Sequence, residues 1–117
     1  MDKTKVVKKE SFLQGKSKED FISELVSLLR GKVLAAYIFG SFVTDKFNAD
    51  SDLDLLLVVQ TATPFIERPL NFPEILDMDV NMNVDLLIYT PEEFAQLVSE
   101  QKVGFWKSAF EQMVKII

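Results

Sequence analysis

Asp52-Leu53-Asp54-Leu55-Leu56-Leu57-Val58-Val59 joins two acids to an unbroken apolar run, and its reading decides the fold. Leucine and valine with no polar alternation beyond the start predict a central strand over 52–59, apolar on both faces. Strand side chains alternate between faces, so Asp52 and Asp54 share one, with Cα atoms about 6.6 Å apart. A bare Asp-x-Asp is more often solvated turn chemistry, and Asn48-Ala49-Asp50-Ser51 just ahead is a turn of that kind. Here the acids lead directly into a buried strand, which weakens that alternative.

Ten residues before Asp52 stands Gly40-Ser41, closing a second apolar run, Val33 to Phe39, that predicts another buried strand. Glycine lets backbone approach a ligand closely, and serine can cap a following helix or donate to a phosphate. A simple capped turn would look the same in isolation. A third acid, Asp85, opens Leu86-Leu87-Ile88 inside a strand predicted over 80–89. If that strand lies beside 52–59, Asp52, Asp54 and Asp85 converge. Three acids together repel one another unless a cation offsets them. Their oxygens suit Mg²⁺ at about 2.0–2.1 Å, with Mn²⁺ as a substitute, and two ions would sit roughly 3.5–4 Å apart.

Helices are expected around these strands. Ser17-Lys18-Glu19-Asp20 reads as a helix start and Gly31 as its stop, with Phe21, Ile22, Leu25, Val26, Leu28 and Leu29 at helical spacing. A short helix or turn follows Gly40-Ser41 to about Asp45. Pro64, Pro69 and Pro73 punctuate an ill-defined stretch over 60–79, with a short helix at Phe72 to Leu76. Thr90-Pro91-Glu92-Glu93 opens a helix running to about Gln101, with Thr90 as its cap. After a break at Gly104 comes a helix from Phe105 to about Gln112, then an edge strand within Met113 to Ile117. Phe105 and Trp106 read as core packing before interface. The fold class is α/β (α+β): a small mixed β-sheet with flanking helices. One domain is expected over 17–117, preceded by a basic, partly flexible arm over 1–16.

Composition narrows the chemistry. The 117 residues include no cysteine and no histidine, which excludes thiolate and imidazole zinc sites and any Ser-His or Cys-His nucleophile. Residues 1–18 carry six lysines against two acids, whereas 19–117 carry seven basic and sixteen acidic residues. An acidic body is a poor platform for a long nucleic acid. No apolar run approaches a membrane span, so no membrane partner is expected and the cytoplasm is the expected compartment.

Gly40-Ser41, ten residues, then Asp52-x-Asp54, with Asp85 in Val84-Asp85-Leu86-Leu87-Ile88 and Thr90-Pro91-Glu92-Glu93-Phe94 beyond, closely resembles the nucleotidyltransferase superfamily. The brevity is similar to the minimal nucleotidyltransferases that pair with HEPN-type helical proteins. The resemblance covers about Val33 to Ile117 and implies a palm-like sheet. It implies that Asp52, Asp54 and Asp85 are catalytic and hold Mg²⁺. It implies that Gly40 and Ser41 bind the phosphates of ATP or another nucleoside triphosphate. The expected reaction moves AMP onto a hydroxyl, a tyrosine of a HEPN-type toxin or a small molecule such as an antibiotic. The alternative is an antitoxin-like binding module with little or no catalysis, and a homo-oligomer is a further option. At this length a template-directed polymerase is not expected. One departure stands out: minimal members carry an Ala-Arg-Gly-like stretch after the turn, and this chain has Val43-Thr44-Asp45-Lys46. Lys46 would replace the arginine as a point charge and not as a bidentate fork.

Overall fold

The computed structural model describes residues 17–44, 52–77, 83–100 and 105–117. The arm expected over 1–16 lies outside them. The first helix, α1, spans Lys18–Leu29. Ser17 caps it, its hydroxyl accepting the Asp20 N–H at 3.0 Å. Phe21, Leu25 and Leu29, one helical turn apart, are fully buried. Gly31 follows with φ +86°, a conformation that excludes most side chains and ends the helix where expected.

Strand β1 (Ala35–Phe39) runs into a 3-10 turn at Gly40–Val43. Strand β2 is Leu53–Val58, and a 3-10 helix covers Phe65–Asn71 before the one-turn α2 at Pro73–Leu76. Strand β3 (Val84–Tyr89) leads to α3 (Pro91–Glu100), α4 (Phe105–Gln112) and β4 (Val114–Lys115). The sheet order is β3-β2-β1-β4. β1 pairs antiparallel with β2 and β4, and β2 pairs parallel with β3, so the sheet is mixed and β4 is an edge, as expected.

Both faces of the sheet are covered. Leu53, Leu55 and Leu57 of β2 join Ala36, Ile38 and Ile88 against Phe21, Leu25 and Leu29 of α1 and Ile75 of α2. Leu56 and Val58 point the other way, onto Phe39, Ala109 and Trp106. A strand apolar on both faces is what the unbroken leucine run demanded. The second face is largely aromatic: Trp106 packs on Phe39, Tyr89 and Phe110 with centroids 6.1, 6.2 and 5.7 Å away. Trp106 is therefore a packing residue.

The 3-10 helix at Phe65–Asn71 was not legible in sequence. It contains Pro69 and buries a charged residue, Arg68, while exposing Ile66 and Leu70. That reverses the polarity pattern from which elements are read. Among the described residues no helix is long and apolar enough to cross a membrane.

Candidate active site

Register brings the chemistry together. Phe39 pairs with Asp54 across β1 and β2, and Asp54 pairs with Asp85 across β2 and β3. The C-terminal end of β1, with Gly40 beyond it, thus meets the N-terminal ends of β2 and β3. Asp54 and Asp85 are direct neighbours on the face that carries Leu56 and Val58. Asp54 is half-buried, and Asp52 and Asp85 are exposed.

Asp54 is the electrostatic centre. Burial, then the charge of Asp85 and a proton bridge to it, then the charge of Asp52, raise its pKa to about 6. Asp52 precedes β2, whose ladder starts where the Leu53 N–H donates to the Asn83 carbonyl at 2.9 Å. Its charge reaches Asp54. Among the described residues, however, no group of three or more acids is arranged as a ligand set for a metal ion. The geometry joins Asp54 with Asp85 and leaves Asp52 beside them.

Gly40 has φ +79°, and a Cβ at this position would overlap Asp54 Oδ2. Glycine is required here twice, for its backbone angle and for the carboxylate that occupies the space. Ser41 is half-buried. Its carbonyl accepts the Thr44 N–H at 3.0 Å and the Thr44 hydroxyl at 2.9 Å. Lys18 Nζ donates to the carbonyls of Phe42 and Thr44 at the end of the same turn. Lys46 lies outside the described residues.

The donor set fits a hard divalent cation. Mg²⁺ is usually held by one or two carboxylates together with substrate phosphates, and two carboxylates are what the register brings together. A bound cation would also favour the ionised form of Asp54, which its surroundings disfavour.

An ion pair between buried Arg68 and exposed Glu93 escaped sequence reasoning. Arg68 donates through Nε to the Thr63 carbonyl at 2.8 Å and through Nη1 to the Ile88 carbonyl at 3.0 Å. It also grips Glu93 bidentately, at 2.6 and 3.2 Å. Glu93 in turn closes a capping box with Thr90, accepting the Thr90 N–H at 2.9 Å while Thr90 Oγ1 accepts the Glu93 N–H at 3.2 Å. Thr90-x-x-Glu93 is a sequence signal for that box. Arg68, in a proline-rich stretch, carries none. The pair braces the C-terminal end of β3, away from the acids. A shallow depression of about 230 Å³, lined by Gly31, Val33, Leu34, Val59 and Gln60 among others, also lies at the far end of β1 and β2. It contains none of the acids, so the chemistry is assigned to the strand ends.

Acids paired across two strands, with a glycine turn pressed against one of them, are a donor set that a hard cation fits. The chain belongs to the polymerase beta nucleotidyltransferase family, whose model matches residues 22–105. That span takes in the turn and all three acids. No curated protein matches the chain. Membership supports nucleotide transfer as the chemistry of the domain.

Proposed function

We propose that the domain transfers a nucleoside monophosphate, AMP from ATP foremost, onto a hydroxyl, with a tyrosine of a HEPN-type helical protein as acceptor. The observation that carries this reading is the Asp54–Asp85 pair seated against Gly40. Asp54 and Asp85 would hold Mg²⁺, with Asp52 adding its charge beside them. The ion would neutralise charge on the triphosphate and on the departing pyrophosphate. Gly40 makes room for the Asp54 carboxylate at the strand ends, and Ser41 offers a hydroxyl to the phosphates. Asp85 is exposed and accepts the acceptor's proton as the new O–P bond forms at the α-phosphorus and pyrophosphate leaves. Without a cation its surroundings disfavour the ionised form of Asp54, and metal arriving with nucleotide would relieve that penalty.

A second reading has its own support. Val43-Thr44-Asp45-Lys46 offers no arginine to the phosphates, and Phe65, Ile66 and Leu70 expose apolar surface. A binding module that neutralises a helical partner by contact, with little transfer, would use that surface. Transfer of label from α-labelled ATP, with Mg²⁺ and the HEPN-type partner, separates the two. Label on the partner that disappears in Asp85→Asn supports the enzyme. Neutralisation by both proteins with no label on the partner supports the binding module and removes the enzyme reading.

A further inference from the structure

We infer that Lys18 is the positioning residue of the Gly40–Val43 turn, and that its ammonium sets the affinity of the turn for a nucleoside triphosphate; this rests on the nucleotide site proposed above. Lys18 is the first residue of α1, followed by Glu19 and Asp20. Acids suit a helix N-terminus and a lysine does not, because the macrodipole is positive there. The turn offers this cation partners.

The Lys18 ammonium donates to the Phe42 carbonyl and, at 3.2 Å, to the Thr44 carbonyl. It also lies 5.0 Å from the centroid of the Phe42 ring. Phe42 is buried and packs 5.6 Å from Phe21, one turn further along α1. The first turn of α1 thus clamps the 3-10 turn by an ammonium and a ring together. Three rotatable donors on a flexible stem can reach two carbonyls on different residues.

On its other side the turn is fixed by the contact of Gly40 with Asp54. Ser41, half-buried, carries its hydroxyl between these anchors. Lys18 and Asp54 therefore determine where that hydroxyl stands relative to the acids. A turn ordered before the ligand arrives avoids paying ordering entropy on binding.

Lys18→Met keeps the apolar stem and removes the charge and donors, and Lys18→Arg restores both. Two measurements decide the matter. Hydrogen exchange, which needs no ligand, reads the Thr44 amide against the amides of β2. Calorimetric titration with Mg·ATP reads affinity. Lys18→Met is expected to speed exchange at Thr44 by about tenfold with β2 unchanged, because the turn opens locally. Its Mg·ATP affinity should fall at least about fivefold, and Lys18→Arg should recover most of both. Unchanged Thr44 exchange or unchanged affinity in Lys18→Met overturns the inference. So does equal acceleration at β2, which would make Lys18 a general stabiliser. Wild-type protein that binds no Mg·ATP at millimolar ligand overturns the nucleotide site itself and the affinity role with it. Exchange at Thr44 tells that failure apart from a wrong assignment of the clamp.

Discussion

Asp54→Asn should make the protein more stable at neutral pH. The wild-type carboxyl has its pKa raised from 3.8 to about 6 on folding, first by burial and then by Asp85 and Asp52. One unit corresponds to about 1.4 kcal/mol, so the gross penalty for ionising Asp54 in the folded state is about 3 kcal/mol. The group is only half-buried, and solvent screening reduces this to about 1.5 kcal/mol. The sign follows from linkage: the folded state binds the proton more tightly than the unfolded chain. The penalty is absent below about pH 4, grows between 3.8 and 6, and is complete at pH 7. Asparagine keeps the shape and never ionises. At about 3–6 °C per kcal/mol for a domain of this size, its Tm should exceed that of wild type by roughly 5–9 °C at pH 7.5. At pH 3.5 the two should melt together. Calorimetric melts at pH 3.5, 5 and 7.5 make the comparison. An Asp54→Asn protein that melts at or below wild type at pH 7.5, or an offset independent of pH, would refute the account of Asp54 as a strained, ligand-ready acid. Mg·ATP should narrow or reverse the gap, because only wild type retains the full pair that binds it.

Gly40→Ala meets both a left-handed backbone and the Asp54 carboxylate, and should lose about 2–4 kcal/mol in urea melts. Arg68→Met leaves two carbonyls and Glu93 without their donor, and should lose about 3 kcal/mol in the same assay. Glu93 behaves opposite to Asp54: its hydrogen bond from Arg68 and then that from the Thr90 backbone lower its pKa to about 2. Its stabilisation is present above pH 4.5 and is lost as pH falls toward 2, so the advantage of wild type over Glu93→Gln should fade in acid melts across that window. Thr90→Ala removes the cap of α3 and should cost about 1 kcal/mol by chemical denaturation.

The elements that could be read from sequence are those whose side chains repeat with their own geometry. Phe21, Leu25 and Leu29 fall on one helical face, and Leu53 to Val58 fill both sides of a central strand. Ser17 and Thr90 cap α1 and α3 by local chemistry that four residues suffice to specify. The parallel register that sets Asp54 beside Asp85 has no local signature. It was an expectation conditional on β3 lying next to β2, and it holds at that position. Arg68 was illegible because its partners, Thr63, Ile88 and Glu93, lie up to 25 residues away and are met only in the folded chain. In sequence Lys18 reads as part of a helix start; its contact with the turn is to carbonyls 24 and 26 residues on.

Two acids of this fold are treated in opposite ways, and the contrast bears on function. Glu93 is met by Arg68 and by the Thr90 N–H, whose hydrogen bonds hold it ionised down to about pH 2. Asp54 is placed between β1 and β3, where it loses water to burial and has other carboxylates for neighbours. Among the described residues no lysine or arginine forms an ion pair with it. A fold able to supply a guanidinium to Glu93 could have met Asp54 with an apolar residue or a cation of its own. Keeping an ionisable group there, with glycine at position 40 to make room for it, costs stability that no ion pair among the described residues offsets. On the proposed function, a charge to meet it would arrive with a ligand. A divalent cation carried on a triphosphate has the right sign, the right preference for oxygen and a second partner in Asp85.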